Sequence, residues 1–593
     1  MYAAWQGHKE TVNILLQKNA DISAKDKGGR RYGWTPLMYA ARNGQKEIIE
    51  VLLQKNFNVN ERDNVGRTAL IHASINGHKD AVEILLQNNA DTNIKDKFHK
   101  TALMFASRFG YKEVVEFLLQ NNADINAKGR YNATSLILAS RSGKIQVVQI
   151  LLQNNANIDV IDTSGKNALV NAVSRGHKET VELLIQNNAD INLPFKFNGQ
   201  WSTSLIEAVS NGDLEMMEIL LQNNVDINAS NDNGKTALIH AVGLKNKEAV
   251  ELLLRYNADI NALSKYGETA LILASRLKQI DIVQVLLQNN ANVNKNDSYG
   301  RTALFYASRK GNKEMVELLL RNNATINIKD DYGDTALIFA TSSIYATSSK
   351  RKEVIDILIQ NNADINAKDN GGKTVLMHAA SEGFKEAVEI LLQNDANAMI
   401  RDNYGKTILM YSVFGLQREV VELFLQMNLH VNAKDNQGKT ALIYAVERGL
   451  NDIVEILIQN NADVDTKDNQ SGYTPLIHAT DHNHIEVVEI LLRNNANIDA
   501  QDPEGRTALI WATQRNNIKL VKLLLNSFAD ISVKDNYGKT AKYWARKKRY
   551  DDIFNLLNSN HFDNGFWQYF VLGSKAIYNG MKRVIPESFL KIY

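Results

Sequence analysis

The sequence predicts an all-α repeat solenoid: stacked helix-turn-helix units joined by hairpin loops. The first observation behind this is a phrase close to Thr-Ala-Leu-Ile that returns at a nearly constant spacing. Its opening residues are Thr35, Thr68, Thr101, Thr134, Asn167, Thr203, Thr236, Thr269, Thr302, Thr335, Thr374, Thr407, Thr440, Thr474, Thr507 and Thr540, and the basic step is 33 residues. A fixed period of this size marks supersecondary units that bury their apolar faces against neighbours. The second observation is a helical spacing of apolar residues inside each period. The third is a set of turn residues that recurs in the same register. At 593 residues a closed single core is not expected, so function should lie along an extended surface.

One period, Thr68 to Lys100, shows the elements in order. Thr68 is an N-cap, because its side-chain oxygen can accept from an orphan amide of the first turn. Ala69-Leu70-Ile71-His72-Ala73-Ser74-Ile75 follows as a short helix. Asn76-Gly77 ends it with a residue that tolerates positive φ. His78-Lys79-Asp80 opens a second helix, and Ala81, Val82, Ile84, Leu85 and Leu86 give it an apolar stripe at helical spacing. Asn88-Asn89 closes that helix, since Asn enters the left-handed region more readily than most residues. Ala90-Asp91-Thr92-Asn93 then leads to a polar hairpin tip, Lys95-Asp96-Lys97-Phe98-His99-Lys100. Neither helix is long enough to persist alone. Ala73 is small enough for neighbouring helices to approach, and Leu70, Leu85 and Leu86 are expected to be buried between repeats.

This pattern resembles the ankyrin repeat, with its Thr-Pro-Leu-His helix start, Gly-His turn, Val-x-x-Leu-Leu helix and Gly-Ala-Asp-x-Asn hairpin. The resemblance covers Met1 to about Asn558, in sixteen in-phase copies. Trp34-Thr35-Pro36-Leu37 and Tyr473-Thr474-Pro475-Leu476 keep the family Pro, whereas most copies carry Ala. Three places after Thr, the family His is apolar here, as at Met38, Ile71, Met104, Ile239, Met377 and Ile510. The hydrogen bonds credited to that His must be missing or supplied otherwise. Asn replaces the family Gly before Ala-Asp, as in Asn122-Ala123-Asp124.

The expected organisation is a truncated first repeat over 1–26, about sixteen repeats over 27–559 and an aromatic-basic segment over 560–593. Tyr2-Ala3-Ala4 aligns with Tyr39-Ala40-Ala41, so the chain opens inside a repeat: either the start is truncated, or this end is sealed by a partner or frayed. Insertions fall near 27–34, 193–201, 340–352 and 470–471. In the third, Ala340-Thr341-Ser342-Ser343 reappears as Ala346-Thr347-Ser348-Ser349, a tandem duplication expected to lengthen the turn between paired helices. The C-terminal segment has two readings. One is a cap over the last repeat, which an array needs for solubility. The other is a membrane-surface or partner-docking helix carrying Lys575, Lys582 and Arg583. The cap is the favoured reading.

Composition argues against several chemistries. The formal net charge is +2, too balanced for a chain built to coat nucleic acid. The stretch from Ala541 to Tyr593 departs from this, with nine Lys/Arg against four Asp/Glu. There is no Cys, which removes disulfides, thiolate nucleophiles and Cys-ligated zinc. Gly-Lys-Thr recurs in register, as at Gly234-Lys235-Thr236, without the earlier Gly of a phosphate loop. His72, His240, His378 and His478 share one repeat position and form at best a sparse row. No catalytic, cofactor or metal residues are therefore assigned, and no enzyme activity is expected. A cytoplasmic location is expected, or a host cytosol if the protein is a secreted effector.

The expected function is a non-catalytic scaffold that binds other proteins; the alternative is a targeting adaptor docked through the C-terminal segment. In the family resembled, hairpin tips and first helices form a concave partner-binding groove, which the resemblance carries over by position. Three places before Thr stand Phe98, Tyr131, Tyr266, Tyr299, Tyr332, Tyr404 and Tyr537, which either meet a partner or pack tip against tip. Four places after Thr lie Tyr39, His72, Phe105, Tyr306, Phe339, Tyr411, Tyr444 and Trp511. That position also carries Asn171 and Glu207, so it is expected to stay incompletely buried. Seven after Thr, Arg42, Arg108, Arg141, Arg276 and Arg309 recur near the end of the first helix. An aromatic groove with a basic margin would suit an extended or acidic peptide.

Overall fold

A computed structural model of the chain describes residues 1–26, 33–55, 57–197, 199–342, 347–427 and 429–559. They contain 34 α-helices, one 3-10 turn at Arg130–Asn132 and one antiparallel pair of short strands. The chain divides into two compact units, Met1–Ala303 and Leu304–Tyr593, built on the same plan. No helix among the described residues is long and apolar enough to cross a membrane.

In the first unit the repeat read above forms as its sequence dictates. Thr68 Oγ1 accepts from the Ile71 amide at 3.3 Å and opens the helix Ala69–Asn76, which Gly77 ends at φ +76°. The second helix, Lys79–Gln87, runs into Asn89 at φ +60°. Ala69–Asn76 packs between Pro36–Arg42 and Ala102–Phe109, and Lys79–Gln87 packs between Lys46–Leu53 and Lys112–Gln120. Leu70, Ile71, Ala73, Val82 and Leu85 are buried in these contacts. Each large apolar side chain so buried contributes about 1.5–3 kcal/mol, which offsets the entropy of ordering helices too short to stand alone.

The second unit repeats the plan. Thr440 caps Ala441–Glu447 through the Ile443 amide, and that helix packs against Ile408–Phe414 and Pro475–Asp481. Two hydrogen-bond ladders tie neighbouring repeats in both units. At the tips, a backbone amide of one hairpin donates to a carbonyl of the one before, as in Lys97 N to Val65 O at 2.8 Å and Asn436 N to Tyr404 O at 2.9 Å. Beyond the second helix, an Asn side chain accepts an amide of the next repeat. Asn126 Oδ1 takes the Asn157 amide at 2.9 Å, and Asn432 Oδ1 takes that of Asp463 at 2.7 Å.

The irregular sites divide into three outcomes. The insertion at 193–201 becomes a regular hairpin, Phe195–Phe197 paired with Gln200–Ser202, and Phe195 is fully buried. At 470–471, the amide and hydroxyl of Ser471 both donate to Asp468 at 2.5 Å. The duplication lengthens the connection between the paired helices, as expected, and also the second helix. Ser348–Gln360 has 13 residues where the corresponding Lys313–Arg321 and Lys385–Gln393 have nine. Part of the extra sequence therefore extends the second helix by about a turn, because Ser348-Ser349-Lys350-Arg351 is free of helix breakers. The Gly28 to Arg31 insertion, residues 343–346 and the whole 560–593 segment lie outside the described residues.

Candidate partner-binding face

The hairpin tip is organised by the residue five places before the Thr. In the second unit Asp435 Oδ1 accepts from the amides of Gln437 and Lys439, both at 2.9 Å, an Asx turn that folds the backbone over a carboxylate. The main chain then joins tip to tip, with added side-chain bonds such as Asn403 Nδ2 to Asn370 O at 3.0 Å and Asn436 Nδ2 to Asn403 O at 3.2 Å. The carbonyls of Tyr131, Tyr266, Tyr332 and Tyr404 each accept an amide from the next hairpin. Of the two roles open to the tip aromatics, packing against the next hairpin is therefore not needed. All seven rings are exposed, from 43% at Phe98 to 74% at Tyr537.

The position four after Thr requires a correction. Tyr306, Phe339, Tyr411, Tyr444 and Trp511 are each buried, whereas Tyr39, Glu207, His240 and His378 keep the partial exposure expected of the position. The second carboxylate oxygen of the hairpin Asp draws the polar ones inward. Tyr411 Oη donates to Asp402 Oδ2 and Tyr444 Oη to Asp435 Oδ2, both at 2.6 Å; Trp511 Nε1 donates to Asp502 Oδ2 at 2.9 Å. Burial and the adjacent carboxylates push both Tyr hydroxyls far above the ordinary phenol range, so they act as donors. His takes the same place elsewhere: His72 Nε2 lies 2.9 Å from Asp63 Oδ2, and His478 Nε2 lies 2.6 Å from Asp468 Oδ2. Asn171 Nδ2 reaches Asp162 Oδ2 at 3.2 Å. These ties supply, one place along, a helix-to-hairpin link in repeats without the family His. These Tyr, Trp, His and Asn residues suit the position because they bond to Asp.

Burial pushes the Asp63 carboxyl up, but hydrogen bonds from His72 and the Arg67 and Val65 amides outweigh it and hold it below its ordinary value. Burial holds the His72 imidazole below its usual range against the pull of Asp63. The pair is thus a carboxylate facing a neutral imidazole. Asp334, Asp369 and His378 bring ligand atoms within 4.8 Å of one another, a set spaced for a cation. The Asp369–His378 half of it, at 2.9 Å, is the same hairpin tie seen at His72 and His478.

The Arg residues seven places after Thr have three fates. Arg276 is paired with Glu268 at 2.9 Å. Arg309 lies over the Phe339 ring at 5.8 Å. Arg108 and Arg141 line one cavity of about 530 Å³ together with the tip residues Phe98 and Tyr131. The structure thus gathers four of the sixteen sequence candidates at one place in the first unit. It adds Lys100, Arg130 and Arg175, which the sequence reading passed over. A signal for them was present: Lys128-Gly129-Arg130-Tyr131-Asn132-Ala133 lacks the hairpin Asp and the tip Gly that most repeats carry.

In each unit, short paired helices stacked in register with exposed loop tips define a helical repeat protein. A family model described as Ankyrin repeats (3 copies) matches residues 1–96, 66–129, 103–195, 205–297, 290–369, 343–435, 429–502 and 492–565. The chain belongs to the ankyrin-repeat family. Ankyrin repeats are general protein-protein interaction modules, and proteins made of them are typically non-catalytic scaffolds. No curated protein matches the sequence.

Proposed function

We propose that this protein is a non-catalytic scaffold that binds partner proteins across its hairpin tips. The observation that carries the reading is the exposure of an aromatic ring at the same tip position in seven repeats, although the tips are already joined through their backbones. Tyr offers large amphipathic contact at low entropy cost and recurs at binding surfaces. The buried aromatics on the first helices hold the framework and are not contact residues. The test is affinity capture with the intact chain and with a Y266A/Y299A/Y332A variant. Partner recovery should fall while the melting temperature stays unchanged, because the three rings are exposed. Equal recovery by the variant would remove the tip face from the proposal.

A further inference from the structure

The cavity in the first unit is lined by five cations and one acid. The residue before Thr and the residue seven after it form a charge slot between hairpin and first helix. Glu268 and Arg276 fill it as an ion pair at 2.9 Å, and Lys439 and Glu447 do so at 2.7 Å. In the repeat of Thr101 the same two places are Lys100 and Arg108, two cations, as they also are in the repeats of Thr302 (Arg301, Arg309) and Thr540 (Lys539, Lys547). Arg141 ends the next first helix, Ser135–Arg141, Arg175 lies two residues past the one after, Ala168–Val173, and Arg130 stands on the hairpin before Arg141. No ion pair is made by any of these five among the described residues. Burial, aided by Arg108, Arg67 and Arg130 against the pull of Asp96, holds the Lys100 ammonium below its ordinary value.

The lining holds one acid, Asp162. Its Oδ1 accepts from the amides of Ser164 and Lys166, and its Oδ2 accepts from Asn171 Nδ2. The acid that most repeats place five before Thr is here Gly129. A Cβ at that position would fall 2.9 Å from Met104 Sδ and 3.2 Å from the Ala133 carbonyl oxygen. The helix residue that would have bonded to it is Leu138, which packs with Met104 and Ala133. An apolar floor thus lies beneath a rim of five cations.

We propose that this cavity binds an acidic peptide segment of a partner protein, seating one aliphatic side chain on Met104 and Leu138 and pairing its carboxylates with Arg108, Arg141 and Arg175. Charge complementarity argues for this occupant. The cations come from successive repeats, so the positive charge runs along the stack and suits an extended chain with spaced carboxylates. A single phosphate would need them converged on one point. The proposal rests on the partner-binding reading above and names the partner's chemistry at one place in it.

The test uses the full-length protein and a short fluorescent peptide of glutamates around a central leucine, read by anisotropy at two salt concentrations. The wild type should bind, with affinity falling as salt rises. R108A/R141A/R175A should bind at least about tenfold more weakly, as the loss of three partly exposed charge pairs implies. All three side chains are exposed, and an unchanged melting curve will separate lost contact from lost fold. A peptide with lysine for glutamate should not bind, and one with serine for leucine should bind more weakly. Equal affinity of wild type and triple variant overturns the proposal. So does displacement of the peptide by inorganic phosphate, or by an RNA oligonucleotide or anionic vesicles at matched charge. If captured partners are lost on changing Tyr266, Tyr299 and Tyr332 but kept in the triple Arg variant, this site fails and the tip face stands.

Discussion

Replacing Asp435 by Ala is the sharpest probe of how a hairpin is held to its helix. The carboxylate is 6% exposed and accepts three bonds: the Gln437 and Lys439 amides at 2.9 Å each and the Tyr444 hydroxyl at 2.6 Å. Alanine leaves all three donors without an acceptor. Each stranded donor costs about 1–3 kcal/mol, and the two tip amides fall at the low end because water can reach them, so the total is about 3–5 kcal/mol. Y444F removes one bond and should cost about 1–2 kcal/mol. In a stacked array stability is a sum of repeat and nearest-neighbour terms, so the loss should stay local. Hydrogen exchange across urea concentrations, read on peptides covering residues 430–450 and on distant repeats, measures both size and extent. A D435A cost under about 1 kcal/mol, or one no greater than that of Y444F, would refute the view that one carboxylate organises tip and helix together.

The buried His72 and His478 predict acid sensitivity. Burial holds both imidazoles below their ordinary range, so the unfolded chain takes up protons first. Stability from them is full above about pH 6.5 and is lost as pH falls below it; Asp63 and Asp468, also held low, add to the loss at more acid pH. H72Y/H478Y should flatten the fall in melting temperature between pH 7 and pH 5, because Tyr makes the same Asp bond at 411 and 444; parallel curves would exclude the His as its source. Asn126→Ala should cost about 0.5–1 kcal/mol and speed exchange of the Asn157 amide, which loses its acceptor at 2.9 Å. Unaltered exchange there would show that the Asn ladder does not couple repeats.

The local elements were legible because each is specified by neighbours in sequence. A Thr at the helix start, a Gly or Asn at positive φ and an apolar stripe at helical spacing act within a few residues, and sixteen copies repeat the same message. The last helix among the described residues, Asp551–Asn558, could be read in this way. The residue four after Thr could not, because its fate depends on an Asp nine residues earlier that folds back over it. Aromatic character there looked like a surface for partners, and at Tyr411, Tyr444 and Trp511 proved to be a buried donor to a carboxylate.

The sequence by itself determined the architecture: a 33-residue period with capped, short amphipathic helices admits a stack and little else, since no helix here is stable until its neighbour covers it. Tertiary structure alone decided which of the recurring side chains are spent inside and which are left to act. Tyr411 and Tyr404 are the same residue type seven positions apart; one bonds Asp402 in the interior and the other stands exposed at the tip. Arg276 and Arg108 share a repeat position, yet one is paired with Glu268 and the other lines a cavity together with Lys100. Ion pairing and burial are properties of what meets in space, and a hairpin residue meets the helix residue eight or nine places on only once the chain has folded back over itself.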